Sequence, residues 1–121
     1  MKTLIKLIST TSLLLAAHTG FACDYPERIK IPDGASASKQ DMLDGQRGVK
    51  KFVADMEIYL DCIVEEEKAA RAAIADLQPE DEQQREDKLN KKYNAAVDEM
   101  ERLAAQFNAE VRIYKERGDS G

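Results

Sequence analysis

Apolar residues recur every seven positions at Met42, Val49, Met56, Ile63, Ala70 and Leu77. Phe52 and Val53, Tyr59 and Leu60, then Ala73 and Ile74 fill the intervals at three- and four-residue steps, drawing one apolar stripe down a helix. No proline interrupts residues 38–77. The pattern therefore predicts a single helix over that range, roughly 60 Å long at 1.5 Å per residue. Ser38, with Asp41 three residues on, forms a capping-box variant at its start. Gly45 and Gly48 weaken the early turns by about 1 kcal/mol each relative to alanine, and they leave room for another segment to approach.

Gln78-Pro79 breaks this pattern, because the residue before a proline is pushed out of the α region. Pro79 with Glu80, Asp81 and Glu82 also starts a new helix, proline in the first turn and acids against the positive dipole end. Over residues 80–117 the stripe runs through Leu89, Tyr93, Ala96, Val97, Met100, Leu103, Phe107, Val111 and Tyr114; Tyr93, Met100, Phe107 and Tyr114 are again seven apart. Asp81 with Arg85, Asp87 with Lys91 and Asp98 with Arg102 are opposite charges at i, i+4, expected to pair on a solvated face. Gly118 suits a C-terminal cap, and residues 118–121 read as a frayed tail. Two stripes across a short break predict an all-α fold, a long antiparallel helical hairpin over residues 38–117. One continuous helix kinked at Pro79 and paired with another chain is the competing form, since no glycine caps the first helix near Leu77.

The stretch before the helices, residues 23–37, holds Pro26, Pro32 and Gly34 and predicts an extended segment. It begins at Cys23, and the other cysteine, Cys62, lies inside the first helix. Extended, residues 23 to 38 span up to about 50 Å, while Ser38 to Cys62 along the helix is about 36 Å. The segment therefore reaches back to Cys62, and a Cys23–Cys62 disulfide would staple it to helix 1 and add roughly 3 to 4 kcal/mol. Tyr25, Ile29 and Ile31 would then lie on the helix, with Glu27, Arg28 and Lys30 more exposed.

Composition supplies the compartment. Residues 1–22 carry Lys2 and Lys6, an apolar run through Leu13, Leu14, Leu15 and Ala17, and small residues at Gly20 and Ala22, the make-up of a cleavable secretory signal peptide rather than a membrane span. Cleavage after Ala22 makes Cys23 the first mature residue, in an oxidising compartment where disulfides persist. The rival reading is a lipoprotein anchored through Cys23, although Gly20-Phe21-Ala22 fits a lipobox badly. Without Lys2 and Lys6 the 18 basic side chains fall to 16 against 23 acids, a net charge of −7. That charge suits neither nucleic acid nor anionic lipid.

Site chemistry is sparse. The single histidine, His18, leaves with the signal, so a serine or cysteine nucleophile lacks its usual base. There is no glycine-rich phosphate loop and no CxxC motif. Glu65, Glu66 and Glu67 are adjacent, but neighbouring helical residues point about 100° apart and do not converge on one ion. The reading is of no enzyme, no cofactor and no metal. Met42, Met56 and Met100 read as core fillers, or alternatively as a pliable client surface.

The run CDYPERIKIPDGASASKQDMLDGQRGVKKFVADMEIYLDCI, Cys23 to Ile63, resembles small uncharacterised exported proteins of Gram-negative bacteria. The shared features are the cysteine at the mature start, the IPDG turn, the QDML…VKKFV…YLDC helix and the second cysteine. The resemblance implies periplasmic residence and paired cysteines, and it brings no activity, ligand or catalytic residue.

A mature chain with two helices, no tryptophan and alanine-rich seams buries limited apolar area, so it needs a staple, an oligomer or both. The expected function is thus a non-enzymatic periplasmic protein working through protein–protein contact, with a homo-oligomer or another protein as partner and no membrane insertion once the signal is removed. The expected core and interaction stripe is Met42, Val49, Phe52, Met56, Tyr59 and Ile63 on helix 1, with Tyr93, Met100, Phe107 and Tyr114 on helix 2. A holdase-type periplasmic chaperone is the alternative, and a small carboxylate-based hydrolase the remote one.

Overall fold

A computed structural model of the chain describes residues 23–118. The signal peptide read over residues 1–22 and the tail after Gly118 lie outside the described residues. Among those described the fold is all-helical, with α1 (Lys39–Ala72), α2 (Pro79–Glu116) and no strand.

Local chemistry sets both starts and the final stop. At α1 the Asp41 N–H donates to Ser38 Oγ, and the Ser38 N–H donates back to Asp41 Oδ2, so the capping box is complete. Gln78 is extended at ψ 148°, as a residue before proline must be, and Pro79 opens α2 with three acids behind it. Gly118, at φ +69°, ends α2 in the left-handed region open to glycine.

The first helix stops at Ala72, five residues short of the predicted Leu77. A chain that reverses needs room to do so, and six residues, 73–78, supply it. The last turn tightens there, with the Ile74 N–H donating to the Arg71 carbonyl. Ion pairs tie the two helices at this end: Glu67 accepts from both Arg71 and Arg85, at 3.1 and 2.9 Å. At the other end Gly45 of α1 sits against Phe107 of α2. The chain thus takes the form of a helical hairpin.

The extended segment, residues 23–37, is a strap that forms a third layer. The Cys23–Cys62 disulfide holds its far end to α1, with the two Cα atoms 5.7 Å apart. A sequence reading places the strap on helix 1 alone, but it lies over both helices. Ile29 and Ile31 pack on the main core of Phe52, Met56, Leu60, Ile63, Ala96 and Leu103. Ile31 also touches a smaller cluster of Ala37, Met42 and Phe107. Close approach is possible because α1 presents glycines: a Cβ on Gly45 would lie 2.8 Å from the Pro32 ring, and one on Gly48 3.3 Å from Ile29.

Among the described residues, every buried apolar residue lies in the strapped half, Ala37 to Ile63 and Ala96 to Phe107. Residues 64–95 contribute none, although the stripe continues through Ala70, Leu89 and Tyr93. Two helices alone do not enclose large side chains; the third layer closes the core, and among the described residues it extends to Cys23.

Candidate functional site

The site is the groove between α1 and α2 on the face that the strap covers. Three sets of contacts seat the strap. At its base the Gly34 N–H donates to Glu110 Oε2 at 2.7 Å, and Arg117 Nη1 donates to the Gly34 and Ala37 carbonyls at 3.3 and 3.0 Å. The Arg117 guanidinium also stands 4.8 Å from the centre of the Tyr114 ring. Asp33 shapes the bend into α1, its carbonyl accepting from the Ser36 and Ala37 N–H groups and its carboxylate from the Ala35 N–H.

At mid-strap Arg28 Nη2 meets Glu99 Oε1 at 3.1 Å. Glu99 also accepts a two-pronged interaction from Arg102, at 3.0 and 2.7 Å, and its side chain is only 16% exposed. The Arg102 hydrogen bonds, with Arg28 adding to them, hold the Glu99 carboxyl below the usual carboxylate range against the opposing effect of burial. The Arg102 guanidinium is pushed up in return. At the far end Tyr25 meets Tyr59 edge-on, ring centres 5.0 Å apart, beside the disulfide. Desolvation and then the Glu99 charge push the Tyr25 phenol up, yet Tyr25 remains 53% exposed and covers less than its position in the pattern suggests.

Of the stripe, Met42, Phe52, Met56, Ile63 and Phe107 are buried, and Val49, Tyr59, Met100 and Tyr114 are half-buried. Tyr93 departs from it at 39% exposure, because its place in the heptad falls beyond the end of the strap. Met42 and Met56 are core, so they form no pliable surface. The three expected i, i+4 ion pairs do not form. Arg85 turns across to Glu67, Arg102 turns back to Glu99, and Asp87 accepts from Gln83. In each case a better-placed neighbour takes the partner. Glu65, Glu66 and Glu67 point three ways, to Lys68, towards Cys23 and to the two arginines. The Asp41 carboxyl, bonded to the Ser38 backbone and side chain, is held below the usual carboxylate range.

Past Cys23 the groove continues, uncovered by any described residue. Glu66 Oε2 lies 3.1 Å from Cys23 Sγ and marks the boundary, a contact rather than a hydrogen bond because a disulfide sulfur carries no proton. The open groove is a cavity of about 450 Å³ with a floor of Ile63, Ala70 and Leu89. Lys88, Lys91 and Lys92 of α2 form one wall, and none of them takes part in an ion pair. Heptad spacing shows the open and strapped parts to be one groove, since Lys92 stands two turns before Glu99 on the same face of α2.

The sequence reading missed Gly34, Glu99, Glu110 and Arg117, which seat the strap. The IPDG turn hinted at the first; the other three sit among ordinary surface charges and carry no sequence signal. The disulfide is compatible with an oxidising periplasmic or extracellular location, and among the described residues no helix is long and apolar enough to cross a membrane. No protein-family model, curated protein or solved structure matches the chain.

Proposed function

We propose that this chain is a non-enzymatic periplasmic protein, a long antiparallel hairpin stapled by its N-terminal strap, that acts by binding another protein chain. The observation supporting this is the uneven burial. The strapped half encloses a three-layer core, and its exposed apolar residues, Leu43, Ile58 and Ile113, stand outside that core; residues 64–95 bury no apolar side chain, leave Ile74 and Tyr93 exposed, and flank a groove with an apolar floor that no described residue covers. An apolar face left open on a small helical scaffold is characteristic of a surface covered by a partner. The partner is a second copy or another envelope protein.

Two measurements on the exported protein test this. Photo-crosslinkers at Ile74 and Tyr93, with Lys50 of the strapped half as control, are expected to give one discrete protein adduct from the first two positions only. Its mass distinguishes a second copy from another protein. A stable monomer by sedimentation, together with no adduct from either position, would overturn the proposal.

A further inference from the structure

The strap shows what this groove accepts. It is an extended chain that sets Ile29 and Ile31 on the apolar floor and fixes its register with one charge, Arg28, on Glu99 of α2. Beyond Cys23 the floor continues through Ile63, Ala70 and Leu89, but the charge on the α2 wall changes sign. Two turns before Glu99 stands Lys92, with Lys88 and Lys91 beside it. Arg85, one turn further on, is taken up by Glu67, and Glu67 in turn by Arg71. Glu66 on the α1 wall remains as an acid, close to Cys23. Three uncommitted ammonium groups therefore face a short apolar channel in a chain that is acidic overall.

From this continuity and reversal of charge we infer that the open groove binds an extended acidic segment of a partner protein, apolar side chains on the floor and carboxylates on Lys88 and Lys92. This rests on the protein-contact reading above and specifies its chemistry. An extended segment fits where a helix does not, since the same groove one step away is filled by extended chain. Carboxylates are required where the strap uses arginine, because an arginine there would face three like charges.

The probe is a synthetic peptide, DYPEEIEIPD, which is residues 24–33 with glutamate in place of Arg28 and Lys30; the unaltered DYPERIKIPD is the control. With the strap closed by its disulfide, only the open groove is available to either. Fluorescence anisotropy on the oxidised protein is expected to show the acidic peptide binding about tenfold more tightly than the control, with the difference shrinking as salt is raised. Lys88→Glu with Lys92→Glu is expected to abolish that preference or reverse it. Both lysines are exposed and outside the core, and unchanged helical circular dichroism verifies the fold. Equal binding of the two peptides, or a preference that survives both substitutions, overturns the inference. A flat titration while crosslinks still form at Ile74 and Tyr93 overturns the groove assignment alone and leaves the protein-contact reading standing.

Discussion

Gly34 stands so close to α2 that a Cβ built on it would lie 2.0 Å from the Glu110 carbonyl oxygen, while its N–H donates to the Glu110 carboxylate at 2.7 Å. The strap meets the second helix backbone to backbone, a contact that only a residue without a side chain allows. Gly34→Ala is therefore expected to lift the base of the strap and cost about 2–3 kcal/mol, as overpacking does. Urea denaturation of the oxidised protein measures it. The φ of Gly34 is not in the left-handed region, so the loss comes from crowding rather than backbone conformation.

The disulfide joins Cys23 and Cys62 across a sequence separation of 39. Chain entropy alone gives such a crosslink about 4 kcal/mol. Reduction, or Cys62→Ser, is expected to lower the unfolding free energy by roughly that amount. The strap should then detach from its far end first, since Arg28 and Glu99 are the next fixed point. Limited trypsin treatment checks the order: cleavage after Arg28 and Lys30 should accelerate on reduction well before cleavage within α1 or α2.

Met56 is wholly buried and Tyr93 is 39% exposed, although heptad spacing places both on the stripe. Met56→Ala should cost about 2–5 kcal/mol, and Tyr93→Ala below about 0.5 kcal/mol. Thermal melts of the two variants decide it; equal losses would mean that the open half is as tightly packed as the strapped half.

That contrast marks how far the sequence was readable. The helices, the Ser38–Asp41 cap, the Pro79 start and the Gly118 stop follow from local chemistry, so periodicity and single residues reveal them. Chain length and helix rise show that Cys23 can reach Cys62, and the disulfide forms there. The place where the third layer ends does not follow from either, because it depends on how the strap crosses from α1 to α2. That crossing is decided by Gly34, Glu110, Glu99 and Arg117, polar or featureless residues that become neighbours only on folding. One of the i, i+4 pairs failed for the same reason, since Glu67 takes Arg85 across the hairpin; the other two lost to local rivals within α2, Arg102 turning to Glu99 and Asp87 accepting from Gln83. The open groove was hidden too, since Lys88, Lys91 and Lys92 read as solvated charge until Leu89 and Ile63 are brought together beneath them.

Glu99 links the strap to acid stability. Its carboxyl is held below the usual range by Arg102 and, across the groove, by Arg28. A carboxyl whose pKa is depressed on folding contributes stability that is present above its unfolded value, around pH 4, and is lost as pH falls through the folded value. Stability should therefore hold from neutral pH down to about pH 4–5 and decline below it. Asp41, held down by its bonds to Ser38, contributes to the same decline at the start of α1. Glu99→Gln removes one of these two contributions, so its acid limb should be shallower than that of the parent while its neutral-pH stability is lower. Arg28 loses its charged partner in the variant, and the strap should become more sensitive to trypsin at pH 7. Unfolding free energies measured from pH 7 to 3 for the parent and Glu99→Gln test the sign directly. Parallel curves would mean that the Arg28–Glu99–Arg102 cluster forms equally in the unfolded chain and does not hold the strap.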